Sequence, residues 1–209
     1  MSSILISLAG KERRRQPGLK NPTGTPPSGR ASDPRTGRRV TSAPVETIVL
    51  AYNKPVGLIT THDDELGRKT VAPASCGRKR HKWHAIGRLD ADTDGLLLLT
   101  NDGALVHHAT HPSSKVPKTY MALCRGILQE EQIQQLREGV ELTGGLGTSL
   151  PAEIVVEGFE ENATLLRITI CEGKNRQIRR MLLAINSQVL TLTRLSIGDI
   201  SIENIDSGR

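Results

Sequence analysis

Gly87-Arg88-Leu89-Asp90-Ala91-Asp92-Thr93-Asp94-Gly95-Leu96-Leu97-Leu98-Leu99-Thr100-Asn101-Asp102-Gly103 is the stretch from which the rest of the chain can be read. Gly95 to Thr100 is apolar but too short for a helix, and Asn101-Asp102-Gly103 stops it, so it predicts a buried strand. The loop before it carries three aspartates at alternate positions. Asp90-x-Asp92-x-Asp94-Gly95 copies the first half of a calcium-binding loop, but the twelfth position is Asn101, which has no carboxylate to offer, and the flanks read as strands rather than helices. No metal is expected there. Asp92 and Asp94 fit an Asx-rich turn, bonding nearby backbone N–H groups. Asp90, close to Arg88 and at the mouth of the strand, is the candidate for chemistry.

Working outward, Thr47 to Tyr52 reads as a strand ended by Asn53-Lys54-Pro55-Val56-Gly57. His84 to Ile86 and Thr119 to Leu123 are further strands. Ala152 to Val156 and Thr164 to Ile170 pair as a hairpin through 158–162, and Val189 to Ile197 is a last long strand. Two helices stand among them. Glu130 to Gly139 spaces Ile133, Leu136 and Val140 along one side, and Asn175 to Ile185 aligns Ile178, Met181, Leu182 and Ile185 on one face. Hairpins punctuated by two helices predict an α+β fold with a mixed, largely antiparallel sheet.

Charge divides the chain. Residues 1–45 hold nine Lys and Arg against Glu12 and Asp33, so they carry +7 and the other 164 residues −1, which together make the chain's +6. The same segment holds six of the eleven prolines. It cannot bury enough apolar surface to offset its ordering entropy, so residues 1–45 are expected to be a disordered basic arm and 46–205 the functional domain. The arm suits phosphate tracking by charge, or equally an organellar transit extension. No apolar run approaches the ~20 residues that span a bilayer. Cys76, Cys124 and Cys171 are dispersed and outside any C-x-x-C, which fits a reducing compartment rather than a disulfide framework.

Gly173-Lys174-Asn175-Arg176-Gln177-Ile178-Arg179-Arg180-Met181 opens the second helix. Four cations at the positive end of a helix are unfavourable unless anions meet them, so a phosphate or carboxylate is expected here. Arg78-Lys79-Arg80-His81-Lys82 is a solvated loop or a further basic rim. Tyr120, beside Lys118, could stack one base or serve as a core tyrosine. With only Tyr52, Tyr120, Trp83 and Phe159 as aromatics, there is no stacking platform for several bases. His107 and His111 stand four apart but lack a third metal ligand nearby.

In this order the runs resemble one family, the RsuA-type pseudouridine synthases of ribosomal RNA. Tyr52-Asn53-Lys54-Pro55-x-Gly57, Gly67-Arg68-Lys69-Thr70-Val71, the Gly87–Gly103 stretch, His111-Pro112, Lys118-Thr119-Tyr120 and Gly173 to Met181 all fall in place between Ile48 and Asn204. The resemblance implies a pseudouridine synthase fold, with a sheet in two halves and a cleft across its middle. It implies that Asp90 is the catalytic aspartate, that Tyr120 lies against the target base and that Arg179 pairs with Asp90. Arg88, Lys118, Lys174, Arg176 and Arg180 would contact RNA. It implies no cofactor and no metal. Residues 1–45 are too short and too rich in Pro and Gly for the S4 domain that many members carry, so the likeness is to the short RluE-like subgroup. The expected partner is ribosomal RNA or a ribosomal precursor, met by a cytoplasmic monomer, or an organellar one if 1–45 is a transit peptide. Two alternatives stand beside this: a non-catalytic RNA-binding protein with the same fold, and a metal-dependent module using the aspartates.

Overall fold

The structure, a computed structural model, describes residues 5–6, 46–61, 70–71, 82–203 and 205–208. The expected arm at 1–45 therefore lies outside the described residues, apart from Leu5–Ile6. So does the basic run from Arg78, apart from Lys82. In chain order the elements are β1 (Leu5–Ile6), β2 (Val49–Lys54), β3 (His84–Ile86), β4 (Asp94–Thr100), α1 (Gly103–Thr110), β5 (Lys118–Arg125), α2 (Glu130–Glu138), β6 (Glu153–Glu160), β7 (Ala163–Ile170), α3 (Gln177–Ala184), β8 (Val189–Ile197) and β9 (Ile200–Ser201). They form the expected α+β fold around one mixed sheet, in the order β1-β2-β4-β8-β5-β7-β6, with β3 also on β4 and β9 on β8.

Every strand pair is antiparallel except β4 with β8, and that contact is only two residues deep: Asp94 opposite Thr193 and Gly95 opposite Arg194. The sheet thus has two antiparallel halves joined by a short parallel seam. β4 is the inner edge of the first half, and Leu96 to Leu99 are all buried. Burying each leucine contributes ~1.5–3 kcal/mol, and alternate leucines serve opposite faces. Leu97 and Leu99 join a large core with Ile133 and Leu136 of α2 and Ile178, Met181 and Leu182 of α3. Leu96 and Leu98 face a smaller cluster, against which Leu105, Val106 and Ala109 of α1 pack.

The residues after β4 each have a structural task. The buried Thr100 hydroxyl donates to Ile48 O (2.8 Å) and accepts from Asp102 N (3.1 Å), while Asn101 Oδ1 accepts from Ile48 N (2.8 Å). Asp102 then caps α1, its carboxylate accepting from Ala104 N and Leu105 N. Asn53 similarly anchors the C-terminal segment, donating to Ile205 O (2.9 Å) and accepting from Gly208 N (2.7 Å).

Several boundaries differ from expectation. β2 runs on through Asn53 and Lys54, because the Asn53 and Lys54 backbones stay paired with Leu96 and Gly95. β6 extends to Glu160 across an irregularity at Gly158, so the hairpin turn tightens to Glu161-Asn162. α3 starts two residues later than expected, because Arg176 adopts the left-handed conformation (φ 49°) and acts as the residue before the helix.

Gly95 has a reason to be glycine. Its φ is +101°, and a Cβ there would sit 2.3 Å from Arg194 O across the seam. Gly95→Ala should therefore lower stability by about 3 kcal/mol, through backbone strain and overpacking together. A urea titration checks this as a lower midpoint at unchanged slope.

Candidate active site

The seam places two buried cations beneath the acidic loop. Lys54 on β2 and Arg194 on β8 are both register partners of Gly95, one on each side, and are 0% and 2% exposed. Lys54 Nζ donates to Pro55 O and Leu58 O (both 2.9 Å). Burial pushes the Lys54 ammonium below its ordinary range, against the opposing pull of Asp94, Asp92 and Asp90. Arg194 Nε donates to Leu96 O (2.7 Å), and its Nη1 reaches Arg88 O at 3.5 Å. Sequence reading quoted Lys54 as part of a turn and of a family run, without a role of its own, and passed over Arg194. A lone lysine at a strand end and an arginine between Thr193 and Leu195 both look like ordinary outward-facing residues.

The loop above them is tied down at several points. Thr60 Oγ1 donates to Leu89 O (3.0 Å) and accepts from Leu89 N (3.2 Å), which fixes the residue before Asp90. Gly57 N donates to Ala91 O (2.7 Å), and Thr93 N to Asp90 O (3.2 Å). The K-P-x-G turn thus clamps the aspartate loop from below.

From across the cleft, the turn and helix at Arg176 to Arg179 meet the loop. Arg176 makes a fork on Asp92, with Nη2 to Oδ2 at 2.8 Å and Nη1 to Oδ1 at 3.2 Å, and its Nη1 reaches Asp90 Oδ2 at 3.4 Å. Arg179 donates to Asp92 O (2.8 Å) and Thr93 Oγ1 (3.4 Å) and lies 3.3 Å from the Asp92 carboxylate. The pairing therefore departs from expectation: the ion pair on Asp90 comes from Arg176, and Arg179 is spent on Asp92. Position on the helix explains the exchange. Arg176, left-handed at the helix entrance, projects toward the loop tip, whereas Arg179, a turn further in and only 15% exposed, reaches the loop's base. Asp92 is correspondingly more than a turn former. Its carboxyl is held below the usual range, chiefly by the hydrogen bonds from Arg176. The anion expected at this helix entrance is, in part, the protein's own acidic loop.

Between these elements lies a cleft of about 640 Å³, within the ~300–1,000 Å³ usual for small-ligand sites. Asp90, Tyr120, Arg179, Arg88, Lys118, Lys174 and Arg176 all line it. Tyr120 is 9% exposed and is the register partner of Arg194; it is packed in the core, as one of its two readings has it, and also lines the cleft. Lys118 Nζ donates to Val116 O (2.9 Å), and burial together with Arg194 lowers its ammonium from the ordinary range. Lys174 is partly engaged by Thr148 O (2.7 Å). Arg180 is brought elsewhere. It donates to Thr143 O (2.6 Å) and Asn175 O (3.0 Å), bracing the 143–148 loop, and does not line the cleft. Gln177, buried in the same motif, accepts from Lys174 N (3.0 Å) and holds the turn that carries it. His111 lines the cleft with its Nδ1 engaged by Ser113. Among the described residues, no three His, Cys, Asp or Glu side chains converge as a metal site requires, and no helix is long and apolar enough to cross a membrane.

The lowered Asp92 carboxyl couples this site to stability. Its contribution is complete above the ordinary aspartate value near 3.8 and is lost as pH falls through the lowered folded value. With both partners near half exposed, the effect is small and screened by salt. The melting temperature should fall on acidification below about pH 4, less steeply for Asp92→Asn, and the difference should shrink in about 0.5 M salt.

The family model described as RNA pseudouridylate synthase matches residues 48–184. The ribosomal large subunit pseudouridine synthase E of Vibrio parahaemolyticus is 40% identical over 175 residues, covering 77% of this chain and 71% of that protein. An uncharacterized RNA pseudouridine synthase of Mycobacterium bovis is 41% identical over 157 residues, covering 74% of this chain and 61% of that one. A crystal structure of a pseudouridylate synthase is similar with a TM-score of 0.68 at 32% identity, over 78% of this chain and 69% of the other. The family match starts on the strand that carries Lys54 and ends with the helix that carries Arg179, so it spans both walls of the cleft, and the chain belongs to the RNA pseudouridylate synthase family.

Proposed function

We propose that this RNA pseudouridine synthase isomerises a uridine of ribosomal RNA, with Asp90 as the catalytic carboxylate. The observation that carries the assignment to Asp90 is its place. It is the carboxylate on the cleft wall that keeps 41% of its side chain exposed while sharing Arg176 with Asp92. The ribosomal substrate is supported by the Vibrio relative, which is named for the ribosomal large subunit.

The residue types suit the reaction. Uridine becomes pseudouridine when the N1–C1′ bond breaks, the uracil turns, and C5 bonds to C1′. The C5 proton leaves and N1 regains one, so no electrons are exchanged with an external acceptor. A carboxylate can attack the electron-poor C1′ or stabilise its charge, as in glycoside chemistry. The target base must leave its stack to reach Asp90, and one aromatic edge, Tyr120, then suffices to support it. Arg88, Lys118, Lys174 and Arg176 rim the cleft as phosphate contacts. Arg179 holds the loop through Asp92 O and Thr93. Cys124 and Cys171 are both free thiols, consistent with a reducing compartment such as the cytoplasm.

Asp90→Asn should bind an unmodified ribosomal RNA transcript as the parent does and yield at least ~10³-fold less pseudouridine in single-turnover assays. Retained activity would remove Asp90 from the mechanism. Activity of the parent should be unchanged by EDTA. Arg88→Ala, at an exposed position, should leave kcat near the parent value and weaken RNA binding. It should also flatten the dependence of log K on log salt by about 0.7–0.9, as expected for one phosphate contact. An unchanged slope would take Arg88 out of the RNA interface.

A further inference from the structure

From Gly103 to Arg125 the chain has no aspartate or glutamate, and it contributes Thr110, His111, Pro112, Val116, Lys118 and Tyr120 to the cleft. The carboxylates that line the cleft, Asp90 and Glu172, come from other segments. Both are engaged: Asp90 by Arg176, and Glu172 by Leu150 N and Gln177 Nε2. Within the acid-free segment, His111 is held more firmly than an exposed side chain needs to be. Its Nδ1 accepts from Ser113 N (3.2 Å), capping the 3-10 turn Pro112–Ser114, and lies 2.7 Å from Ser113 Oγ. Its ring packs on that of His107, with centroids 5.4 Å apart and a tilt of 37°, and its backbone N–H donates to His107 O (3.0 Å). The turn that follows is fixed too, since Ser114 Oγ donates to His108 O and Lys115 closes it in the left-handed conformation. Fixing an exposed side chain costs rotamer entropy, and a group already fixed binds a ligand without paying that cost again.

The same contacts decide which hydrogen the ring presents. A nitrogen that accepts a backbone N–H carries no hydrogen of its own, so the proton of the neutral imidazole is on Nε2. Nε2 has no hydrogen-bond partner among the described residues. His111 thus offers one N–H donor of fixed orientation from a segment that has no carboxylate to take it. We propose that His111 Nε2 donates to a phosphate oxygen of the RNA strand beside the target uridine. A phosphate fits this place because His111 is exposed at the rim, and Lys115 and Lys118 of the same segment supply the positive field that a phosphodiester strand follows. The role rests on the reading of the cleft as the place where the strand enters and Asp90 acts. Two substitutions separate it from a role in capping alone. Asparagine sets its Oδ1 near the position of Nδ1, so His111→Asn keeps the cap on Ser113 N and removes the outer donor. Glutamine carries an amide N–H to about the position of Nε2, so His111→Gln keeps the donor and gives up the cap.

The test measures KM and kcat for pseudouridine formation on an unmodified transcript of the large-subunit ribosomal RNA, with melting temperatures alongside. The proteins are the parent, Asp90→Asn, His111→Asn, His111→Gln and His111→Ala. His111→Asn should melt with the parent yet raise KM about tenfold, as the loss of one hydrogen bond to a charged group implies, with kcat within about twofold. His111→Gln should melt lower but keep KM within about threefold of the parent, and His111→Ala should show both losses. Because the donor is neutral, the dependence of log KM on log salt should keep its slope in His111→Asn, in contrast to Arg88→Ala, which loses a charge. A parent-like KM in His111→Asn, a flattened salt slope in that variant, or a His111→Gln protein as weak as His111→Ala overturns the proposal. If Asp90→Asn forms pseudouridine, the reading of the cleft has failed and the role of His111 falls with it. If Asp90→Asn is inactive while His111→Asn keeps the parent KM, only the role of His111 has failed.

Discussion

Lys54 and Arg194 are both withdrawn from solvent on either side of Gly95, where the two half-sheets meet over two residues. Burying an isolated cation costs several kcal/mol unless hydrogen bonds and opposite charge compensate it. Here backbone carbonyls accept from Lys54 Nζ and Arg194 Nε, Arg194 Nη2 is left without a hydrogen-bond partner among the described residues, and Asp94, Asp92 and Asp90 oppose the lowering of the Lys54 ammonium. The loop itself is held by Thr60 and Gly57 on one side and by the arginines of α3 on the other. Gly95 makes this arrangement sterically possible, since any side chain there would strike the Arg194 backbone and push the halves apart. The position of Asp90 thus depends on a packing constraint in the sheet before it depends on anything in the cleft.

The same arrangement resolves the electrostatic problem at the entrance of α3. A cluster of cations at the positive end of a helix needs anions. Asp92 and Asp90 supply part of that need from within the chain, and Arg180 turns away to the 143–148 loop. Arg88 and Lys118 add further positive charge to the same cleft. A body whose described and undescribed residues beyond 45 sum to a charge near zero can still carry a basic cleft, because its charges are sorted by position rather than by excess.

Much of this was legible in the chain. The leucine run after Gly95, its stop at Asn101-Asp102-Gly103 and the strand Val189–Ile197 follow from run length, periodicity and turn residues, and the structure has them. Asp90 stood out by its place at the strand mouth, the arginine helix by its cations at a positive helix end, and Tyr120 as a lone aromatic beside Lys118. What was not legible depends on the third dimension. Nothing in the local sequence says that Lys54 and Arg194 point inward, because burial there comes from the register of three strands drawn from distant parts of the chain. Nor can spacing along a helix decide whether Arg176 or Arg179 meets Asp90. That is set by the left-handed turn at Arg176, an unusual conformation for arginine that only the tertiary contacts make visible. Asp92 was read as a turn residue for the same reason: its partners come from a segment 84 residues away.

Pseudouridine-specific chemical mapping of ribosomal RNA, in cells lacking this chain and in the same cells supplied with the parent or the Asp90→Asn protein, tests the whole account most directly. It predicts a pseudouridine in ribosomal RNA that disappears without the chain, returns with the parent and stays absent with Asp90→Asn at equal protein level. Ribosomal RNA with an unaltered pseudouridine pattern in all three would contradict it.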